Sequence, residues 1–347
     1  MNKELIDRLF HENTLSRDEL LTLIKMTTEE DFSYLCKKAN QKKEEVYGKS
    51  VYIRGLIEFT NYCKNDCYYC GIRCSNKKAN RYRLSQEEIL SSCEIGDHLG
   101  IQTYVLQGGE DPFFTDEKLI EIVKNIKIKY PKKAVTLSVG ERSYESYRLL
   151  KNAGADRYLL RHETATVEHY QKLHPENSTL KNRVICLNQL KELGFQTGAG
   201  FMVGSPYQTD EHLVNDLLFL KKLQPEMIGI GPFIHHNDTP FYHFKDGTAR
   251  KSVIMIALTR LLLPKTLIPS TTALASLQKD GRKMALLSGA NVVMPNLTPM
   301  TERKNYLLYE HKITTGEETA ESFYKLKEEI ESIGLFMDLS RGDFPAE

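Results

Sequence analysis

The sequence predicts an α/β chain built around a (β/α)8 TIM barrel, with an N-terminal helical extension and a C-terminal helical segment. Three observations carry that reading. Eight short strand-like runs, at 51–60, 103–108, 133–139, 156–163, 195–204, 226–234, 266–272 and 290–296, alternate with longer amphipathic stretches. Gly100, Gly154, Gly194 and Gly289 close helix-like stretches just before the next run, as helix C-termini favour. Polar side chains gather at the C-terminal ends of the runs, where a parallel barrel builds its site. Eight is the number of strands that closes such a barrel; a doubly wound open sheet is the alternative.

Taken in order, residues 1–48 read as helices outside the barrel. Ser16-Arg17-Asp18-Glu19 and Thr27-Thr28-Glu29-Glu30 fit the capping-box pattern, and Leu20, Leu21, Leu23 and Ile24 supply an apolar face. The barrel is expected over 49–300, with a further capping box at Ser85-Gln86-Glu87-Glu88. Residues 301–347 read as a charged helix near 317–333 followed by a polar tail packed on the barrel.

The 347 residues are 41% hydrophobic, enough for a large core. Lysine and arginine total 47 against 46 acidic residues, so no global charge draws the chain to nucleic acid or an anionic membrane. The start, Met1-Asn2-Lys3-Glu4, lacks a signal-peptide pattern, and the apolar stretch 261–263 is cut by Arg260, Pro264 and Lys265. A cytoplasmic location is expected. Seven cysteines in this length are not a disulfide framework.

Three of those cysteines carry the chemistry. Cys63, Cys67 and Cys70, spaced x3 and x2, follow the first strand-like run directly. Three thiolates so close can ligate three irons of a [4Fe–4S] cluster and leave the fourth iron open, whereas electron-transfer ferredoxins supply four cysteines. Cys74 is the competing fourth ligand and would give a closed zinc or electron-transfer site. Tyr68-Tyr69 inside the loop, Gly71 after it and the lack of a second ligand pair favour the open site. Cys63-Lys64-Asn65-Asp66-Cys67-Tyr68-Tyr69-Cys70 resembles the signature loop of the radical S-adenosylmethionine (SAM) superfamily. The resemblance implies that the open iron chelates SAM and reduces it to methionine and a 5′-deoxyadenosyl radical.

The other strand ends add to this. Arg54, Leu56 and Glu58 share one strand face, so Arg54 and Glu58 either pair in the core or line a cavity. Gln107-Gly108-Gly109-Glu110 resembles the superfamily's glycine–glycine–glutamate motif for the SAM amino group. Arg157, Leu159, Arg161 and Glu163 share a face, and two arginines with a glutamate suit a cavity better than a core. Glu163 is placed for ribose hydroxyls, and Arg183 on the next helix for the SAM carboxylate. His162, of opposite parity, reads as structural. Glycines alternate in Thr197-Gly198-Ala199-Gly200, and Met202 is placed for an adenine face. His235 and His236 are adjacent and cannot both ligate one metal from an extended segment. Thr271 and Thr272 offer hydroxyls, Asn296 ends the last run, and Tyr306 and Tyr309 could close the mouth.

Ile57-Glu58-Phe59-Thr60-Asn61, Arg157-Tyr158-Leu159-Leu160-Arg161-His162-Glu163-Thr164-Ala165, Thr197-Gly198-Ala199-Gly200 and Ile230-Gly231-Pro232-Phe233-Ile234 together resemble the HydE family of [FeFe]-hydrogenase maturases. That resemblance implies SAM contacts from Tyr69, Gly108, Gly109, Glu110, Ser138, Glu163, Arg183 and Met202. It implies a reaction cavity lined by Arg54, Gln107, Arg157, Arg161, Thr271 and Thr272. It implies an organoiron precursor of the hydrogenase diiron site as substrate, the maturases HydG and HydF as partners, and an external electron donor. Some members bind a second cluster through C-terminal cysteines. No cysteine follows Cys186 here, so that cluster is not expected. Cys93 and Cys186 fall in helix-like stretches, and Cys36 reads as a buried thiol. A methylornithine synthase-like amino-acid mutase and a non-catalytic iron–sulfur electron carrier are the alternatives.

Overall fold

A computed structural model describes residues 2–26, 28–314 and 322–345. Its strands are β1 (Ser50–Ile53), β2 (Gly55–Thr60), β3 (Thr103–Gly108), β4 (Ala134–Ser138), β5 (Arg157–Leu159), β6 (Gln196–Val203), β7 (Met227–Pro232), β8 (Val292–Val293) and β9 (Phe336–Asp338). β2 to β7 pair in sequence order as one parallel sheet. Closure comes from two short connections. Met227 bridges Leu267 and Pro269 bridges Val292; Asn296 then bridges Leu56 on β2. The alternation of strand and helix therefore does produce a closed parallel barrel.

Four predicted strands differ in detail, the run 290–296 reducing to the two-residue β8 and a bridge at Asn296. The run 51–60 breaks at Arg54 into β1 and β2. β1 lies between β8 and β9 in a separate three-stranded sheet. The run 266–272 makes bridges only, and Thr272 already begins the helix Thr272–Leu277. Of 156–163, only Arg157–Leu159 forms a ladder, and Glu163 rejoins by a bridge to Phe201.

The helices follow their local signals. Ser16 and Ser85 form complete capping boxes with Glu19 and Glu88. Thr28, not Thr27, caps Glu29–Tyr47, and its hydroxyl accepts from the Asp31 amide. Gly154 and Gly194 sit at φ +110° and +72°, backbone that other residues adopt only with strain. The helix Ala249–Leu262 is buried at every position except Arg250 and Lys251, because Glu29–Tyr47 covers its outer side. That cover explains a nearly all-apolar helix in a chain with no helix long and apolar enough to cross a membrane among the described residues. The charged helix is seen over Phe323–Ser332; its predicted start, 317–321, lies outside the described residues.

The C-terminal tail does more than pack on the surface. β9 joins β1 in parallel, and residues 341–343 then enter the barrel floor. The cysteine loop lies at the opposite end, after the C-terminus of β2.

Candidate active site

The loop that carries the cysteines is held by its neighbours at several points. The Lys64 amide donates to Glu110 O at 2.9 Å, Tyr68 to Leu173 O at 3.0 Å, and Gly71 to Leu308 O at 2.9 Å. Inside the loop, the Asp66 carboxylate accepts from Arg73 and Ser75. Arg81 donates to the carbonyls of Asn61, Ile72, Arg73 and Asn76, tying the loop's start to its return. These charged hydrogen bonds are among the stronger contacts available to a loop.

Cys63, Cys67 and Cys70 are free thiols lining one pocket of about 300 Å³. Cys74 is exposed and lies outside that lining. Burial, with Cys63 beside it, pushes the Cys67 thiol up to about 12. Burial also raises Cys63 and Cys70. Such thiols ionise only against a compensating positive charge, which a bound metal centre supplies. Among the described residues, no three His, Cys, Asp or Glu side chains meet closely enough to hold a single ion. Three thiols around a larger pocket suit a cluster better than one zinc.

The remaining lining comes from the strand ends. Gln107 and Gly108 end β3, and Gly109 and Glu110 follow it; Ser138 ends β4; Leu159 ends β5, and Arg161 and Glu163 follow it; Met202 lies on β6. Strand register explains the convergence, because Gln107 pairs with both Glu58 and Ser138 and so sets them at one height. Gly109 has no room for a side chain: a Cβ there would lie 2.2 Å from Tyr62 O and 2.7 Å from Cys63 Cβ. The glycine pair thus lets strand β3 press against the cysteine loop. Glu110 accepts from the Glu141 amide at 2.9 Å and has Lys64 Nζ at 3.4 Å.

Tyr69 lies between two of the cysteines and lines the pocket. Its hydroxyl is 3.1 Å from His174 Nε2, and His174 Nδ1 is 3.0 Å from Tyr170 O. A carbonyl can only accept, so Nδ1 carries the proton and Tyr69 donates to Nε2. Burial lowers His174 to about 3, which keeps it neutral.

Arg161 and Glu163 face each other at 3.1 Å in an ion pair without hydrogen-bond alignment. Arg161 Nε and Nη2 and Glu163 Oε2 are buried without a hydrogen-bond partner, and so is Thr271 Oγ1. Unsatisfied buried polar groups are costly, and in a pocket they mark where a polar ligand would be received. Arg183 lines the pocket too, but two of its nitrogens are engaged. Nε donates to Glu141 at 2.5 Å and Nη1 to Arg161 O at 2.6 Å.

A strap runs along one side of the pocket. Asn305 O receives Asn61 Nδ2 at 2.7 Å, Glu310 N reaches His235 O at 2.9 Å, and Lys312 pairs with Glu58 at 2.6 Å. Tyr306, Leu308 and Tyr309 of this strap line the pocket. His235 and His236 go separate ways, the first to Asp246 and the second over Gly71.

The structure does not bring Arg54, Arg157 or Thr272 into this lining. Arg157 and Arg54 stand at the N-terminal strand ends, on the barrel floor. Arg157 donates to Asp343 at 2.7 Å and to the carbonyl of Arg341 at 2.8 Å. Arg54 reaches Met227 Sδ and Gly342 O. The shared face was real but the height was not: Arg157 pairs with Thr136, two residues below Ser138. Glu58 pairs with Lys312 and Asn296, not with Arg54. Cys93 and Cys186 are buried in helices, while Cys36 is half-buried. Residues that sequence reasoning missed include Glu141, Arg81, His174 and Lys312. Glu141, His174 and Lys312 act through partners distant in sequence, Arg81 through carbonyls of the nearby loop, and none stands in a motif.

Residues 57–220 match the radical SAM superfamily. The chain is 47% identical over 300 residues to the [FeFe] hydrogenase maturase subunit HydE of Thermotoga maritima, covering 86% of this chain and 85% of that one. The chain belongs to the HydE family of radical SAM enzymes. A 3-methylornithine synthase of Methanosarcina acetivorans is 29% identical over 326 residues, covering 92% of this chain and 90% of that one. The solved structure of methylornithine synthase (PylB) superposes with a TM-score of 0.83 at 26% identity, over 96% of this chain and 97% of that one. HydE membership and the barrel thus agree, and membership of the radical SAM superfamily implies a [4Fe–4S] cluster and SAM.

Proposed function

We propose that this enzyme acts in assembly of the [FeFe]-hydrogenase active site, on a small organoiron precursor of its diiron cluster. The observation that carries the reading is one pocket shared by the cysteine trio, the Gly109–Glu110 turn and the unsatisfied Arg161, Glu163 and Thr271. Cys63, Cys67 and Cys70 would hold the [4Fe–4S] cluster. Tyr69, Gly108, Gly109, Glu110, Ser138, Glu163, Arg183 and Met202 would hold SAM. When bound, the cluster and SAM together supply a 5′-deoxyadenosyl radical.

The chain's own part is to position and to exclude water. Glu110 offers a carboxylate to an ammonium, and Glu163 offers Oε2 to hydroxyl donors. Tyr69, held by His174, fixes an aromatic wall beside the cysteines. Gln107, Arg161 and Thr271 present donors that suit an anionic substrate. Tyr306, Leu308 and Tyr309 line one side of the pocket. Arg183, braced by Glu141, keeps positive charge beside the SAM carboxylate position. We also infer a division into 1–48, 49–300 and 301–347, a cytoplasmic setting, HydG and HydF as the maturases acting before and after it, and a separate electron donor. The identity to the Thermotoga HydE, 47% against 29% for the mutase relative, supports this reading over the mutase. The test is anaerobic maturation of apo-hydrogenase with and without the reconstituted protein. Restored hydrogen evolution is expected. Active SAM cleavage without restoration, together with stimulation by a lysine-derived amino acid, would favour the mutase.

A further inference from the structure

Glu163 is held in unusual backbone. Its φ is +63°, and the Thr164 amide donates to His162 O at 2.8 Å around it. A hydrogen bond from residue i+2 back to residue i, about a central residue at positive φ, is the rare strained form of the γ-turn. Glutamate has no intrinsic reason to adopt it, so the surroundings must impose it.

The surroundings are specific. The strand side is fixed by Glu163 N to Gly200 O at 3.0 Å and Met202 N to Glu163 O at 3.3 Å. Behind the turn lies Asp216, on the helix Asp210–Leu223. It is fully buried in a stripe that also holds Leu213, Val214, Leu217 and Leu220. A carboxyl group in an apolar helix face is expensive. Its Oδ1 accepts from the Ala165 amide at 2.6 Å and lies 3.3 Å from His162 Nε2, in a bent contact. His162, also fully buried, accepts from the Gly200 amide through Nδ1 at 3.3 Å. Nδ1 therefore carries the lone pair, and the proton of the neutral ring sits on Nε2, facing Asp216. One carboxyl oxygen thus accepts a hydrogen bond from the second residue after Glu163 and packs at 3.3 Å, without a hydrogen bond, against the ring of the residue before it.

We propose that Asp216, through His162 and the Ala165 amide, is a positioning residue that holds Glu163 in its strained turn and thereby sets the affinity of the pocket for SAM. The proposal rests on the assignment of Glu163 to SAM. It accounts for a buried aspartate and a buried histidine whose side chains are not part of the pocket lining.

The test uses the cluster-reconstituted protein under anaerobic conditions. SAM affinity is measured by equilibrium binding, cluster content by absorbance, and stability by thermal melting, for D216A, D216N, E163Q and E163Q/D216A. Asparagine keeps the acceptor oxygen. D216A should weaken SAM binding roughly 5- to 100-fold with the cluster retained. D216N should restore most of that loss, and the double variant should bind no worse than E163Q, because both changes remove one contact. Wild-type affinity in D216A beside a weakened E163Q overturns the proposal and leaves the Glu163 assignment standing. Additive losses in the double variant, or a D216N as weak as D216A, also overturn it. Wild-type affinity in E163Q overturns the Glu163 assignment itself. If D216A does not retain its cluster, H162N decides in the same way. Its side-chain oxygen can replace Nδ1 toward Gly200, but nothing then reaches Asp216. Weakened SAM binding in H162N supports the proposal, and unchanged binding overturns it.

Discussion

Arginine stands at both ends of this barrel, fully buried at the floor and 31% exposed at the top, and the two ends treat it oppositely. At the floor, Arg157 is fully buried yet answered by Asp343, Thr103, Gln196 and the carbonyls of Arg341 and Gly342. At the top, Arg161 Nε and Nη2 make no hydrogen bond, and Nη2 has only a poorly aligned 3.1 Å ion pair with Glu163 Oε2. A buried charge satisfied by its own chain is structure; one left unsatisfied in a pocket is a place prepared for a ligand. Arg54 marks the limit of the contrast. It lies at the floor with Nε unsatisfied, and burial next to Arg157 disfavours its charge.

The largest effect that tests this contrast is at the cysteines. Replacing Cys63, Cys67 or Cys70 with alanine should abolish SAM cleavage and the cluster absorbance, while C74A should keep both. Loss of the cluster in C74A would return the site to the closed, four-ligand form. Iron near eight per chain after reconstitution would contradict the expected single cluster.

Next come the pocket charges. E163Q should weaken SAM binding by about 10- to 150-fold, the range for losing a charged hydrogen bond in a desolvated site. R161A should leave SAM cleavage in place but fail to support hydrogenase activation. Neither change should lower the melting temperature much, because the two side chains make only one poorly aligned ion pair, with each other. A large stability loss in R161A would make the top resemble the floor.

R157A should behave in the opposite way. Removing the buried guanidinium leaves several acceptors unpaired, at a cost of about 1–3 kcal/mol in stability. SAM affinity should stay at the wild-type value. A pure SAM-binding defect in R157A would put the floor arginine back among the functional residues.

The smallest expected effect is on pH. Hydrogen bonds from Arg341 and Arg157 outweigh partial burial and hold the Asp343 carboxyl below the usual aspartate range. A depressed carboxyl contributes stability that is complete above its unfolded pKa, about 4, and lost as pH falls toward the folded value. Acid melting below about pH 4 should therefore lose part of its steepness in D343N. Asp343 is 39% exposed, so solvent screening keeps this contribution small. Identical acid profiles for the two proteins would show that the tail carboxylate adds nothing to the floor.

By itself, the sequence determined the parallel barrel, the cysteine loop and most of the pocket lining. Those signals are local: strand and helix periods, capping residues, and three ligands within eight positions. Only the tertiary structure decided depth and partnership. Two-residue alternation says which face a side chain occupies and nothing about its height, so Arg157 and Arg161 looked equivalent until register placed one beside Thr136 and the other in the pocket. The partners of Glu58, Arg183 and Arg157 are Lys312, Glu141 and Asp343, which lie far along the chain. Such pairings arise when the barrel closes and the tail returns across its floor, and no local period in the sequence encodes them.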